Sequence, residues 1–208
     1  MTGNALYTGG QVVCRVFSTL WFDLHVRGVE NVPRTGGVLI VANHQSLLDP
    51  MLVGVRLPRP MSYFAKSELF EHKYFSWLIR SLYAFPVRQG EGDVGAVREA
   101  IRRLQEGNAL VLFPEGSRTE DGELLPIEGG VGLIARKAGV PVVPCVIEGS
   151  YSVWPKGVRR FRSGPIDVRF GTPMAFGHMK ASAIVQSIDK AFHEMLAELR
   201  KERRAVGR

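Results

Sequence analysis

A histidine and an aspartate five positions apart come directly after an apolar run in this chain. Residues 43–49 read NHQSLLD, and residues 38–42 before them read VLIVA, a pattern that predicts a buried strand. A neutral imidazole suits a general base at neutral pH, and a carboxylate on its second nitrogen fixes the tautomer. Because active sites of open α/β sheets lie beyond the carboxyl ends of strands, His44 and Asp49 are candidates for base catalysis.

The spacing of His44 and Asp49 sets a condition on the local structure. Five positions on an ideal helix separate two side chains by about 140°, so the pair can meet only where a loop enters a helix near Asp49. Pro50 suits the first turn of such a helix. The alternative is that Asp49 is only an N-cap and His44 only a loop residue.

A second segment offers a cation for an anionic substrate. Residues 113–119 read FPEGSRT and begin at the end of another apolar run. Arg118 in this segment and Arg88, which follows a different predicted strand, carry planar guanidinium groups that match a phosphate bidentately. Lys66, after a further predicted strand, is a third candidate cation. For each of the three, a solvated side chain or a structural ion pair is the alternative.

Together the two segments resemble the HX4D and FPEGSRT boxes of the glycerolipid acyltransferases, the family that includes 1-acylglycerol-3-phosphate O-acyltransferase. The resemblance runs from about Val26 to about Tyr151. It implies an O-acyltransferase that moves a fatty acyl group from acyl-CoA or acyl carrier protein to the free hydroxyl of lysophosphatidic acid. The product would be phosphatidic acid, made in phospholipid biosynthesis.

The resemblance also implies roles for single residues. His44 would be the general base and Asp49 the carboxylate that orients it. Because the chain has no G-x-S-x-G motif, and Ser46 and Ser117 are better explained as caps or hydrogen-bond partners, we expect direct transfer without a covalent enzyme intermediate. Glycine in the second box lets the backbone approach a ligand closely. The residues that would grip the phosphate or shape its pocket are Arg88, Glu115, Gly116 and Arg118.

One position departs from the family's pattern. Glu128 stands where the family often carries a lysine after the second box. Because negative charge near a phosphate pocket is unfavourable, a different lyso-lipid acceptor is the alternative within the family. A thioesterase, a non-catalytic protein that binds anionic lipid and a nucleic-acid-binding protein are alternatives to acyl transfer.

No metal and no cofactor are expected, apart from the acyl donor as a substrate. The histidines other than His44 are scattered without the spacing of a zinc site, and the chain has no P-loop and no G-x-S-x-G motif. Two cysteines are too few for a disulfide framework, which fits a reducing compartment.

Charge favours a membrane surface as the partner. The formal net charge is +7 and the pI is near 9.7, which implies an anionic partner. Basic residues interleaved with aromatic ones suit anionic lipid or nucleic acid, and a solvated loop is the plain alternative. Because the expected substrate is a lipid, anionic lipid is favoured over nucleic acid as the partner of these basic residues. We therefore expect a peripheral protein on the cytoplasmic face of a membrane and no nucleic acid. The cluster consists of Trp154, Lys156, Arg159, Arg160, Phe161 and Arg162.

An apolar stretch near the N-terminus, residues 12–24, is interrupted by Arg15 and Asp23 and is too short to span a bilayer. It predicts a helix that lies on a bilayer surface, with Trp21 and Phe22 near the interface. Packing of this helix on the domain core is the alternative.

The order of apolar runs and amphipathic stretches predicts an α/β fold. We expect a single domain with a mostly parallel sheet flanked by helices. Residues 1–24 would be the interfacial helix and residues 25–208 the catalytic domain, with the boxes within 43–145. Residues 166–170 are a further strand and a candidate for an edge. The other predicted strands are 61–65, 84–87, 109–113 and 142–147, and the predicted helices are 93–105, 130–137 and 182–204.

Overall fold

Seven strands form one sheet at the centre of the protein. The structure is a computed structural model that describes residues 5–81, 83–87 and 94–207, without the side chains of Lys66, Phe75, Leu78 and Val87. Within these residues the strands are β1 (Phe22–Arg27), β2 (Val38–Ala42), β3 (Met61–Lys66), β4 (Ala84–Val87), β5 (Ala109–Leu112), β6 (Val142–Glu148) and β7 (Gly164–Phe170). They lie in the order β1-β7-β6-β2-β5-β3-β4.

The sheet is mostly parallel, as the sequence predicts. The β6–β7 pair is antiparallel and the other neighbouring pairs are parallel. The carboxyl ends of β4, β3, β5, β2 and β6 therefore meet at one edge. Strand β2 lies between β5 and β6 and all five of its residues are fully buried. The loop that leaves β2 starts from the rigid centre of the sheet.

Helices cover both faces of the sheet, which confirms the predicted α/β class. They are α1 (Ala5–Trp21), α2 (Asp49–Gly54), α3 (Lys73–Ser81), α4 (Val94–Gln105), α5 (Gly130–Ala138), α6 (Ser150–Val153) and α7 (Ala181–Ala205), with 3₁₀ turns at Val29–Asn31 and Ser67–Phe70. One apolar core packs α2 and α6 against the sheet, and the other packs α4, α5 and α7 against the opposite face.

Two sequence predictions differ from the structure. The helix predicted at 12–24 ends at Trp21, and Phe22–Arg27 forms strand β1. Within this apolar run the helical period of α1 changes to the alternation of a strand. Phe22 and Leu24 are buried, while Asp23 between them is exposed. Strand β7 is not an edge strand, since β1 pairs with its outer side. The division of the chain at residue 24 stays a prediction.

Helix α5 packs closely on the start of α7 through a glycine. A Cβ added at Gly132 would lie 2.3 Å from the backbone oxygen of Ala181. We expect Gly132→Ala to lower the free energy of unfolding by about 1–3 kcal/mol, because a backbone cannot move aside as a flexible side chain can. Urea unfolding measures this.

Gly130→Ala in the same helix is the matched control. A Cβ there meets no described atom within 4 Å, so the same substitution should cause no loss of stability. Equal stability of the two variants would contradict the close packing of α5 on α7.

Candidate active site

Residues 43–49 follow β2, and the first of them, Asn43, still pairs with strand β6. The Asn43 side chain donates from Nδ2 to the Ile147 carbonyl at 3.0 Å, and its Oδ1 accepts from the Ile147 N–H at 2.7 Å. Asn43 is 1% exposed. The side-chain amide thus continues the β2–β6 ladder, so that the chain enters the next residues in a fixed direction.

His44 and Asp49 are in contact. His44 Nδ1 lies 2.9 Å from Asp49 Oδ2, and Asp49 is fully buried while the His44 side chain is 20% exposed. The condition set by their spacing is met, because α2 begins at Asp49 with Pro50 in its first turn. An ionised carboxylate only accepts, so Nδ1 carries the proton and Nε2 is left as an acceptor. The imidazole stacks on the Phe113 ring at 4.3 Å between centroids.

Asp49 is more than a helix N-cap. The cap position of α2 is Leu48, which makes no side-chain cap hydrogen bond. Asp49 Oδ2 instead accepts the backbone N–H groups of Gln45 at 2.6 Å and Ser46 at 2.7 Å. Because those two amides are occupied, they are poor donors for an oxyanion, and such donors must come from elsewhere in the site.

The second segment lies directly beside the first. Strands β2 and β5 pair in parallel, and the Thr119 N–H donates to the His44 carbonyl at 2.9 Å. Gly116 adopts a φ of 67°, in the left-handed region that favours glycine, and it is exposed. The Gly116 N–H donates to the Phe113 carbonyl at 3.3 Å, so the turn is held by its own backbone.

Of the three candidate phosphate-binding cations, the structure describes the side chain of Arg118 alone. Arg118 is half-buried and forms no salt bridge with a carboxylate among the described residues. Lys66 is the last residue of β3, at the same edge of the sheet, and its side chain is not described. Arg88 lies outside the described residues.

Glu115 is buried next to the His44–Asp49 pair. It is 7% exposed, and neither carboxyl oxygen has a hydrogen-bond partner of good geometry among the described residues. Burial raises the pKa of Glu115 to about 8. The backbone N–H groups of His44 and Leu125 approach closely enough to lower this pKa, and the Asp49 charge raises it further. A largely neutral carboxyl group is therefore expected at this position at pH 7.

Glu128, the departure noted in the sequence, lies against the second segment. Its N–H donates to the Pro114 carbonyl at 2.8 Å, and a Cβ added at Gly116 would lie 2.2 Å from Glu128 Oε1. An exposed carboxylate therefore stands over the glycine that the resemblance assigns to the phosphate pocket. Its negative charge disfavours a phosphate at this position. The alternative of a different lyso-lipid acceptor therefore rests on a residue that lies at the expected phosphate pocket.

Three residues hold the first segment in place; sequence reasoning missed Ser150 and Gln45, whereas Ser46 is a hydrogen-bond partner as its position predicts. Ser150 Oγ donates to Asp49 Oδ1 at 2.7 Å, Gln45 Nε2 donates to the Gly122 carbonyl at 2.8 Å, and Ser46 Oγ donates to the Trp154 carbonyl at 2.8 Å. The position of Ser150 after a predicted strand was a usable signal. Which strand neighbours β2 could not be read from the sequence.

The described residues contain no group of three or more His, Cys, Asp or Glu side chains placed to hold a metal ion.

The buried Glu115 carboxyl makes stability depend on pH. Its folded pKa of about 8 lies above the ordinary value of 4.5, so between these two pH values the folded state holds a proton that the unfolded state releases. The free energy of unfolding should therefore fall as pH rises from about 5 to 8, with a contribution from this group of at most about 1.4 kcal/mol per pH unit. Urea unfolding at a series of pH values measures the slope.

Glu115→Gln is the variant that isolates this effect. The amide carries no charge at any pH, so the negative slope should become shallower and the variant should gain on the wild type toward pH 8. Parallel pH curves for the two proteins would show that Glu115 titrates normally.

Comparisons with known proteins show the family of this chain. The family model described as Acyltransferase matches residues 23–148. A 1-acyl-sn-glycerol-3-phosphate acyltransferase from Bacillus subtilis is 28% identical, covering 89% of this chain and 92% of that protein. The alpha form from Ovis aries is 30% identical, covering 86% of this chain but only 63% of its own length. The crystal structure of the 1-acyl-sn-glycerophosphate (LPA) acyltransferase PlsC from Thermotoga maritima superposes with a TM-score of 0.79, at 30% identity over 93% of this chain and 81% of that one. The chain therefore belongs to the acyltransferase family.

Proposed function

We propose that the protein is a 1-acylglycerol-3-phosphate O-acyltransferase that transfers a fatty acyl group to the free hydroxyl of lysophosphatidic acid and makes phosphatidic acid for phospholipid biosynthesis. The observation that carries this proposal is the His44–Asp49 contact beside the FPEGSRT turn, in a chain of the acyltransferase family. The names of its relatives support the same acceptor.

The proposed chemistry is one displacement at a thioester. His44 Nε2 takes the proton of the acceptor hydroxyl while that oxygen attacks the thioester carbonyl, and the Asp49 carboxylate stabilises the imidazolium that forms. The new C–O bond is made, the C–S bond breaks, and the thiolate leaves with the proton returned by the imidazolium. No covalent enzyme intermediate and no cofactor are needed.

The proposed phosphate site uses the cations at the same edge of the sheet. Arg118 lies half-buried in the second box and has no ion-pair partner among the described residues. Arg88 and Lys66 complete the set on the grounds of sequence position, with Glu115 and Gly116 shaping the pocket. Two guanidinium groups would neutralise a phosphomonoester, which a single cation would not.

The acyl donor is acyl-CoA or acyl carrier protein. Either presents the same thioester to His44, so the reaction at the base does not distinguish them. A direct comparison of the two donors in the assay below decides between them.

We also propose that the enzyme is peripheral, on the cytoplasmic face of a membrane, and docks through α1. The inner face of this helix is mixed: Tyr7 and Ser18 are buried, and Gln11 donates to the carbonyls of Gly54 and Leu57. The outer face is apolar, and its exposed residues are Leu6, Val12, Val13, Val16, Phe17, Leu20 and Trp21. Surface helices of soluble domains turn a polar face outward, so this exposed apolar face supports contact with lipid.

The basic cluster adjoins the same surface. The Phe161 ring lies 5.9 Å from Phe17 and 6.0 Å from Trp21 between centroids, and Trp154 packs on its other side at 5.5 Å. Arg159, Arg160 and Arg162 are exposed in the same loop. Basic residues beside an anionic bilayer contribute about 1 kcal/mol each, which adds charge attraction to the apolar face of α1. Among the described residues no helix has the length and apolar character to cross a bilayer.

The activity is tested with labelled acyl-CoA or acyl carrier protein and lysophosphatidic acid in detergent micelles. Wild type should make labelled phosphatidic acid, and His44→Ala should lower kcat by about 10²- to 10⁴-fold because the base is lost. His193→Ala, at an exposed histidine on α7, is the control and should keep full activity. Equal product from wild type and His44→Ala would refute the role of His44. Product with another lyso-lipid only would move the acceptor in the direction that Glu128 suggests.

Membrane docking is tested by adjacent substitutions on α1. Leu20 is 81% exposed on the apolar face, whereas Thr19 beside it is exposed on the flank of the helix. Leu20→Asp should weaken binding to anionic vesicles by about 10-fold or more, since it removes buried apolar area and adds negative charge. Thr19→Asp adds the same charge at the same end of the helix and should weaken binding far less. Co-sedimentation with vesicles measures both, and equal effects would mean that charge alone attracts the protein.

A further inference from the structure

Ser150 lies on the far side of the carboxylate that faces His44. Ser150 Oγ is 2.7 Å from Asp49 Oδ1, and both residues are fully buried. A second contact of the hydroxyl, with Gln45 Oε1, is 3.4 Å long. Because a hydroxyl has one proton and a charged acceptor binds it more strongly, that proton goes to Asp49.

The donors around Asp49 are unevenly distributed. Asp49 Oδ2 accepts three hydrogen bonds, from His44 Nδ1 and from the N–H groups of Gln45 and Ser46. Oδ1 receives Ser150 alone among the described residues. Without that hydroxyl a fully buried carboxylate oxygen would lack a donor, and the group could relieve this only by turning away from its present plane. The orientation of Oδ2 toward His44 thus depends on Ser150.

Ser150 is itself held firmly. It is the first residue of α6 and follows Gly149, whose φ of 92° turns the chain sharply at the end of β6. A Cβ at Gly149 would lie 2.3 Å from the Pro165 carbonyl oxygen. Arg203 spans the same turn, with Nη2 donating to that carbonyl at 3.1 Å and Nη1 forming an ion pair with Asp167.

We propose that Ser150 is a positioning residue for acyl transfer, which acts through Asp49 to keep His44 oriented for proton removal. The hydroxyl touches neither substrate nor the reacting atoms. This inference rests on the proposed roles of His44 and Asp49, which the His44→Ala assay tests separately.

The test compares Ser150→Ala and Ser150→Cys with wild type under one donor and one acceptor. Cysteine fills nearly the same space but donates a weak hydrogen bond, so it remains informative if the alanine variant fails to fold. In both, kcat should fall by about 10- to 100-fold, the range for a lost hydrogen bond to a charged group, while KM for the acceptor stays within about twofold. Wild-type kcat in a folded Ser150→Cys protein would overturn the proposal.

A control and a double-mutant cycle separate positioning from general loosening. Ser62 is also fully buried and its hydroxyl accepts from Arg103 at 3.2 Å, away from the site, so Ser62→Ala should leave kcat unchanged. In an Asp49→Asn background, Ser150→Ala should lower kcat little further, because the group through which it acts is already changed. The full 10- to 100-fold loss in that background would overturn the proposal.

Crystal structures supply a readout without turnover. In Ser150→Ala or Ser150→Cys the Asp49 carboxylate should rotate or take two positions, and its 2.9 Å contact with His44 Nδ1 should lengthen. An unmoved carboxylate would overturn the proposal whichever acceptor the enzyme uses. Failure of wild type to acylate lysophosphatidic acid would bear only on the proposed function.

Discussion

The buried carboxylate of Asp49 is the constraint around which the site is arranged. A fully buried charge without partners would cost several kcal/mol, so its presence requires donors from the surrounding chain. Four converge on it: the imidazole of His44, the N–H groups of Gln45 and Ser46, and the hydroxyl of Ser150. The loop after β2 and the turn after β6 are thereby fixed to one point. The 43–49 loop cannot shift without leaving that charge unsatisfied.

Ion pairs from the C-terminal half of α7 support the same region from outside. Arg200 Nη1 lies 2.8 Å from Glu123 and its Nε lies 3.1 Å from Glu148, which joins the loop after the second box to the end of β6. Arg203 holds the turn that carries Ser150. Among these ion pairs, Arg203–Asp167 is largely buried, and the exposed Arg200–Glu123 pair adds little stability by itself. Their effect here is geometric, because they tie two loops of the site to one long helix packed on the sheet.

The sequence predicted the parts of the fold that follow from local pattern. The apolar runs predicted the inner strands, and the helix predicted at 130–137 differs from α5 by one residue. The condition on His44 and Asp49 was also derivable, since only a loop entering a helix lets side chains five positions apart meet. Sheet order was not derivable, because it depends on contacts far apart in the chain. For that reason the contact of Ser150 with Asp49 and the position of β7 between β1 and β6 were missed, although both lie in or after strands that the pattern identified.

The exposed apolar face of α1 links the proposed docking surface to the loop that holds His44. Ser46, within the first box, donates to the Trp154 carbonyl, and the Trp154 ring packs on Phe161, which in turn contacts the aromatic residues at the end of α1. Leu47, the next residue in the box, is 58% exposed. A bilayer in contact with the outer face of α1 would therefore lie near the loop that holds His44. A lyso-lipid has its phosphate at the headgroup level and its hydroxyl close by, so it could reach the base without leaving the membrane entirely. Such a geometry would spare the enzyme the free-energy cost of exposing the acyl chain of its substrate to water.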